Sequence, residues 1–240
     1  MQRLMFPLKT TGRTTNVLNK QKKYTIIASC VIVAIIFLDQ LLKIWVKTHM
    51  TLGETIPVLG NWFNLYFVEN EGMAFGISLG QNLGKLMLSL LRVVLVVFLC
   101  WYMHKQIKNE KMDGITLTIL CLIIAGALGN IIDCLFYGLI FNESTFFVTA
   151  SLFPEGGGYA PFFYGKVVDM FYVKLFHIPD EFPLWGGSYF FPAIFNIADS
   201  CITVGIFLAI IFSKRLFKEF DKKEEESCSE LEEAASNDNL

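Results

Sequence analysis

Two pairs of polar residues interrupt long apolar segments of this chain and share the same spacing. Asn130 and Asp133 lie in GALGNIIDC, and Asn196 and Asp199 lie in FNIADSCITVG. Residues three apart project from one face of a helix, so each pair can present an amide and a carboxylate together. An ionisable group at membrane depth costs about 2.5–3.5 kcal/mol on insertion scales. These pairs therefore indicate a functional site, with helix cross-linking by buried polar groups as the alternative.

Three more charged residues belong to the same set. Asp39 precedes Lys43 by four residues near the end of the first apolar segment, a spacing that predicts an ion pair on one helical face. Asp169, in KVVDMF, lies outside the apolar segments, in a stretch predicted to return to the membrane surface. The predicted topology brings these carboxylates and those of Asp133 and Asp199 to one membrane interface.

Paired carboxylates in a partly dry pocket can hold one shared proton. The ionised acid can then activate water, and the protonated acid can donate to a carbonyl and later to a leaving amine. The sequence offers no GxSxG turn or Ser/His/Asp arrangement, and no Cys/His spacing typical of a metal site. A proton relay is the other chemistry that intramembrane Asp residues serve.

The elements that must position these residues are four apolar segments. The composition is 54% hydrophobic and 18% charged, and the apolar blocks have the length of bilayer-spanning helices. The sequence predicts an all-α integral membrane protein with four transmembrane helices and an extracytoplasmic, aromatic-rich platform or lid. The predicted spans are about 24–46, 83–103, 115–137 and 190–212, and the platform is about 138–189.

Basic residues predict the orientation. They cluster before the first span, in KQIKNEKMDG after His104, and in KRLFKEFDKK after Ser213. The positive-inside rule therefore predicts cytoplasmic termini. Residues 1–23 are expected to be a disordered, basic cytoplasmic arm, residues 24–213 the membrane domain, and residues 214–240 a charged cytoplasmic tail.

Five segments together resemble the lipoprotein signal peptidase (signal peptidase II) family, bacterial integral-membrane aspartyl proteases with four spanning helices. They are DQLLK (39–43), NEGMAFG (70–76), GALGNIID (126–133), VVDM (167–170) and FNIADS (195–200). The resemblance implies an aspartic endopeptidase that removes signal peptides from prolipoproteins, cutting before a Cys modified with diacylglycerol.

The resemblance also assigns roles that residue spacing left open. It makes Asp169 and Asp199 the catalytic pair, whereas the spacing alone gives no reason to choose Asp169 over Asp133. The residues that it places around the pair, or as shaping and supporting the pocket, are Asp39, Lys43, Asn70, Gly72, Asn130, Asp133 and Asn196.

The same resemblance implies a protein of the bacterial cytoplasmic (inner) membrane with its active site at the extracytoplasmic face. The expected partners are diacylglyceryl-modified prolipoproteins and membrane lipid, with no cofactor, metal or nucleic acid, and the protein is expected to be a monomer. The alternative function is a proton-coupled membrane carrier that uses the intramembrane Asp residues as a relay, although the sequence has no inverted repeat typical of such carriers.

Two features depart from the family pattern. Cys134 follows Asp133 where the family usually has Arg, so another group must do the work of that Arg or it is omitted. The connection from Cys134 to Lys166 is much longer than is usual, and residues 177–189 form a further insertion. Both insertions leave the five segments intact and make the shape of the extracytoplasmic rim the least predictable part of the chain.

Overall fold

The structure is a computed structural model that describes residues 10–70, 81–181, 186–187, 189–190 and 193–216. Gly72, residues 1–9 of the predicted arm and residues 217–240 of the predicted tail lie outside the described residues.

Helices make up most of the described chain. They are α1 (Thr10–His49), α2 (Gln81–Lys108), α3 (Gly114–Ile132), α4 (Gly138–Ile140), α5 (Ile197–Ile211) and α6 (Ser213–Leu216), and a π-helical turn (Asp133–Tyr137) joins α3 to α4. Because α1 begins at Thr10, residues 10–23 are helical, and the expectation that they are disordered is wrong.

Three helical segments among the described residues are long and apolar enough to cross a membrane: Asn16–His49, Ser89–Lys108 and Gly114–Ile140. Helix α5 is apolar but has 15 residues, which span about 22 Å, less than the roughly 30 Å of a hydrocarbon core. The predicted count of four transmembrane helices is therefore not confirmed.

A four-stranded antiparallel sheet lies at one end of the helices, so the prediction of an all-α fold is wrong. Its strands are β1 (Thr55–Leu59), β2 (Phe63–Asn70), β3 (Val167–Val173) and β4 (Ile194–Phe195), in that spatial order. The segments FNLYFVEN and VVDMFYV are rich in aromatic and β-branched residues, which suit a pleated, half-buried surface. We call the end of the helices that carries this sheet the sheet end.

Two hydrophobic cores follow from this arrangement. One lies between α1, α2 and α3 and includes Ala28, Val96, Leu120, Cys121 and Ile124. The other joins the sheet to the sheet end of α1, the π turn and the loop beyond it, and includes Val46, Phe67, Tyr137, Phe141, Val168 and Met170. The second core fixes the sheet, and therefore Asp169, against the helices.

The long insertion is built onto the end of a helix. The π turn and α4 leave carbonyl groups without intrahelical partners, and the returning segment of the insertion satisfies them. Tyr159 N donates to Phe141 O (2.9 Å), Ala160 N to Gly138 O (2.9 Å) and Gly165 N to Cys134 O (2.9 Å). The insertion therefore leaves at Phe141 and returns along the same helical end to enter β3, without disturbing the flanking motifs.

Small residues in GALGN let a neighbouring helix approach α3 closely, and that helix is α5. A Cβ added at Gly126 would overlap the carbonyl oxygen of Ala198 and lie 2.8 Å from Ile202 Cγ1. A Cβ at Gly129 would lie 2.7 Å from Asp39 Oδ2. Glycine at these two positions is thus what permits α5, with Asp199, to reach α3.

The Gly126→Ala substitution should separate α3 from α5, because the added methyl meets rigid backbone. We expect the free energy of unfolding to fall by about 1–3 kcal/mol, the usual cost of overpacking, measured by thermal unfolding of the purified protein in detergent. Gly114→Ala is the matched control, since nothing lies within 4 Å of a Cβ there. Equal stability of the two variants would contradict the close approach.

Candidate active site

The residues predicted to form the site come from six elements and meet at the sheet end. They are Asp39 and Lys43 on α1, Asn70 at the end of β2, Asn130 on α3, Asp133 in the π turn, Asp169 on β3, and Asn196 and Asp199 at the start of α5. Each is joined to at least one other by a hydrogen bond or ion pair. The structure thus brings together all the predicted site residues that it describes.

Lys43 is the hub of the helical half of the site. Its side chain is fully buried, and its ammonium contacts Asp39 Oδ2 (2.9 Å), Asp133 Oδ2 (2.7 Å) and Asn130 Oδ1 (2.8 Å). An ammonium has three N–H donors, so these three acceptors use all of them. The predicted Asp39–Lys43 ion pair is confirmed, and Asp133 belongs to it as well.

Lys43 also fixes which way the Asn130 amide faces. Since an ammonium can only donate, the amide oxygen of Asn130 must face Lys43. The Asn130 amide nitrogen then donates to Asp199 Oδ1 at 2.8 Å. The orientation of the hydrogen bond to Asp199 is therefore determined by a buried charge on a different helix.

Asn196 donates a hydrogen bond of fixed orientation to Asp169, as Asn130 does to Asp199. It is the N-cap of α5, and its side-chain oxygen accepts from Asp199 N (2.8 Å), as N-cap residues do. Its amide nitrogen therefore faces the sheet, where it donates to Asp169 Oδ1 (2.6 Å) and Val168 O (3.2 Å). One side chain both starts the helix that carries Asp199 and hydrogen-bonds Asp169.

Asp39 completes the cap of α5. Its Oδ1 accepts from Ala198 N at 2.9 Å, one of the backbone N–H groups that have no partner within the first turn of a helix. Its Oδ2 contacts Lys43. Asp39 therefore links α1 to the N-terminus of α5 and helps to position the first turn of α5, which carries Asp199.

Gln40 is a site residue that the sequence reasoning missed. Its amide nitrogen donates to Asp133 Oδ1 (2.8 Å) and Gly129 O (3.1 Å), and its oxygen accepts from Tyr137 Oη (3.0 Å). Asp133 thereby has both oxygens occupied, and it also accepts a long hydrogen bond (3.4 Å) from Val168 N in β3. The available signal was the polar Gln beside Asp39 in an otherwise apolar segment.

Asp133 is therefore enclosed. Asp169 and Asp199 both hydrogen-bond Asn196, and Asp199 is near enough for its charge to act on Asp169. Asp169 is buried and Asp199 is partly exposed. Burial and the neighbouring charge of Asp199 raise the pKa of Asp169 to about 7, against the opposing effects of Lys43 and of hydrogen bonds from Asn196 and Asn70. A carboxyl with this pKa can hold a proton near neutral pH, as an acid catalyst must.

A guanidinium lies beside the position where the family resemblance led us to expect Arg. Cys134 is buried, and Arg92 Nη1 on α2 donates to its sulfur at 3.8 Å. Arg92, on a neighbouring helix, thus brings a positive charge to the side chain of Cys134, the residue that follows Asp133 in the sequence. The sequence signal was a lone Arg within the apolar run LSLLRVVLVV.

No group of three or more His, Cys, Asp or Glu side chains in the described part of the chain is arranged to hold a metal ion. The carboxylates of the site have instead an ammonium and amide groups as their partners. What the arrangement offers is acid–base chemistry by two aspartates whose hydrogen-bond donors are fixed.

The Lys43→Met substitution should be strongly destabilising, because it leaves the Asp39 and Asp133 carboxylates buried without their cation. We expect the free energy of unfolding in detergent to fall by about 3–5 kcal/mol. The control, Arg215→Met, breaks an ion pair to Asp113 whose side chains are 56% and 33% exposed and should cost less than about 1 kcal/mol. Similar losses in both variants would exclude Lys43 as the hub of the site.

Known proteins are similar to most of this chain. The sequence model of the family described as "Signal peptidase (SPase) II" matches residues 31–215. A lipoprotein signal peptidase from Porphyromonas gingivalis is 47% identical over 77% of this chain and 81% of that relative. One from Amoebophilus asiaticus is 36% identical over 75% of this chain and 74% of that relative.

A solved bacterial membrane enzyme shares the fold, with a TM-score of 0.51 and 24% identity over 82% of this chain and 91% of that chain. A family match over most of the chain, a likeness to relatives well above 30% identity and a shared membrane fold point to one conclusion. The chain belongs to the signal peptidase II family of aspartic-type membrane peptidases.

Proposed function

We propose that this protein removes signal peptides from diacylglyceryl-modified prolipoproteins, cutting before the lipidated Cys with Asp169 and Asp199 as an acid–base pair. The observation that carries the proposal is that the two carboxylates, from a strand and a helix, each accept a hydrogen bond from an Asn amide of fixed orientation. The family to which the chain belongs supports the substrate class.

The surroundings of the two acids favour different protonation states. Asp199 lies in the first turn of α5, where the positive end of the helix dipole stabilises a negative charge. Asp169 has a pKa raised to about 7 by burial and by the charge of Asp199. We therefore assign the role of base to Asp199 and the role of protonated acid to Asp169.

The reaction follows from this assignment. Asp199 takes a proton from a water molecule, whose oxygen attacks the carbonyl carbon of the scissile peptide bond. Asp169 donates a hydrogen bond to the carbonyl oxygen as negative charge develops there. When the C–N bond breaks, the leaving amine takes a proton from the pair. One water is consumed, and the pair ends with the single proton with which it began.

The amide groups of Asn130 and Asn196 orient the two carboxylates before substrate binds. A carboxylate that is free to rotate would have to be ordered in each catalytic cycle, whereas preorganised donors impose no such reorganisation. Asn130 is held by Lys43 and Asn196 by its own capping hydrogen bond. The supporting residues thus act by orienting Asp169 and Asp199, and have no role in proton transfer themselves.

The position of the pair suits a substrate whose signal helix lies in the bilayer. Asp199 lies in the first turn of an apolar helix, and Asp169 lies in the sheet beside it. We infer that the sheet end faces the extracytoplasmic side, with both termini cytoplasmic and α5 as the fourth span. The signal helix would then enter laterally from the bilayer, and the diacylglyceryl chains would stay in lipid. The enzyme, acting as a monomer, would hold the scissile bond at the outer interface.

Asp169→Asn and Asp199→Asn should each abolish cleavage, because neither asparagine can transfer the required proton. The assay is incubation of the purified protein in detergent, without a proton gradient, with a diacylglyceryl-modified prolipoprotein, followed by identification of the new N-terminus. Asp180→Asn is the control at an exposed position and should leave the rate unchanged. Full activity in either site variant would refute the pair, and a requirement for a gradient would favour a carrier.

The pH dependence should report the loss of the shared proton. As the pH rises through about 7, Asp169 loses its proton, so kcat/KM should fall about tenfold per pH unit above that pKa. The Asp180→Asn variant should keep the same profile. A rate that is constant between about pH 6 and about pH 9 would contradict the assignment of a protonated acid.

A further inference from the structure

The insertion beyond α4 contains three consecutive apolar residues that the described chain leaves largely exposed. Phe146, Phe147 and Val148 are 68%, 90% and 62% exposed, and we call them the apolar tip. Burying a side chain of this kind contributes about 1.5–3 kcal/mol, so leaving three of them in water is unfavourable. A run of this kind marks an interaction surface.

The tip is held in a defined shape. The hydroxyl oxygen of Thr145 accepts from Phe147 N (3.3 Å) and Val148 N (3.0 Å), and Thr145 N donates to Val148 O (3.4 Å). These bonds close a tight turn in which the side chain of Thr145 replaces a backbone acceptor. The apolar side chains are therefore presented outward by local hydrogen bonds, so the tip is already ordered before it binds anything.

The stem of the tip is fixed by a second buried charge cluster. Lys47 is fully buried, and its ammonium donates to Glu69 and to Ser144 Oγ (2.7 Å), which in turn donates to Glu69 Oε1 (2.7 Å). The ammonium also lies over the rings of Phe141 (5.3 Å) and Tyr159 (5.1 Å), a favourable position for a cation. Ser144 directly precedes the turn, so these contacts connect the stem of the tip to α1.

Backbone hydrogen bonds place the tip at the level where α1 ends. Ala150 N donates to Lys47 O (3.2 Å) in the last turn of that helix, and Leu52 N just beyond it donates to Thr145 O (2.9 Å). On the same stretch of α1, Leu41 and Trp45 are 56% and 41% exposed. The tip therefore lies beside the end of the first helix that is long and apolar enough to cross a membrane.

We propose that the apolar tip is a lipid anchor that inserts into the headgroup–acyl boundary of the bilayer leaflet at the sheet end. Aromatic residues favour this zone. Residues 142–153 contain no Lys or Arg, so the interaction uses the apolar part of the lipid and does not require anionic headgroups. The proposal concerns a surface that is separate from the aspartate pair and does not depend on the proposed reaction.

The anchor also has a structural connection to the site. Glu69, which Lys47 and Ser144 hold, directly precedes Asn70, whose side chain hydrogen-bonds Asp169. Seating of the tip in lipid thus fixes the same end of β2 that contributes to the surroundings of Asp169. The height of the sheet above the bilayer is thereby tied to a defined contact with lipid.

The test places a fluorescent reporter at the tip. Trp45, Trp62, Trp101 and Trp185 are replaced by Phe, and Phe147→Trp is introduced as the single tryptophan. The protein is reconstituted into phosphatidylcholine vesicles with or without brominated acyl chains. We expect blue-shifted emission that loses about half of its intensity or more to brominated lipid and is protected from aqueous iodide, as an aromatic side chain at the interface should be.

Two matched variants in the same background bracket the result. Leu91→Trp, at a 64% exposed position of α2, should be quenched by brominated lipid. Asn109→Trp, exposed in the polar connection between α2 and α3, should be quenched by iodide. A tip tryptophan that behaves like Asn109→Trp overturns the proposal, and so does one that neither agent quenches, since a protein surface would then cover it.

A second measurement needs no substitution and covers the case in which the background does not fold. Hydroxyl-radical labelling of the native chain should oxidise Phe146 and Phe147 several-fold less in phosphatidylcholine nanodiscs than in the unfolded chain. Phe153 is 71% exposed in the same insertion but lies outside the Thr145 turn. Its extent of oxidation shows how strongly an exposed phenylalanine outside the tip is labelled in the same sample. Full labelling of the tip in nanodiscs would refute the lipid anchor.

Discussion

The ammonium of Lys43 is the interaction on which the rest of the site depends. Its three N–H groups donate to three acceptors, and these bonds determine how the side chains of the acceptors are oriented. Asn130 must direct its amide nitrogen at Asp199, and Asp39 is positioned to cap α5. A buried charge is costly unless it is fully paired, and that cost makes the arrangement specific, since any other orientation would leave Lys43 short of an acceptor.

The sequence predicted the helical part of this system well, because its physical signals are local. Polar residues three and four apart in apolar segments identified the cluster of Asp39, Lys43, Asn130 and Asp133. The assignment of Asp169 came from family resemblance. No local signal could have shown that a strand residue distant in the chain lies within electrostatic range of Asp199, because that proximity depends on tertiary packing.

The sheet and several buried polar contacts were not predicted from the sequence. The sheet was missed because β2 and β3 were interpreted as a connection and a surface segment, although FNLYFVEN and VVDMFYV have strand-like composition. Gln40 and Arg92 were missed because one polar residue in an apolar segment does not show which group it will contact, and the Lys47–Glu69 pair was missed because its two members lie on different elements. The long insertion, in contrast, changes little at the site, since its returning segment satisfies carbonyls at the helical end that water or another loop would otherwise have to satisfy.

Lys43 and Lys47 together show how the sheet end of α1 organises the protein. Lying four residues apart, they project from one face of the helix, and both are fully buried. Lys43 orients the groups from α3 and α5, whereas Lys47 holds Glu69 of β2 and the stem of the apolar tip. Asp199 belongs to the first set, and Asp169, through β2 and Asn70, borders the second. Because one helix supplies both cations, a shift of either set relative to α1 would leave a buried charge unpaired. Helix α1 therefore contributes to the placement of both aspartates.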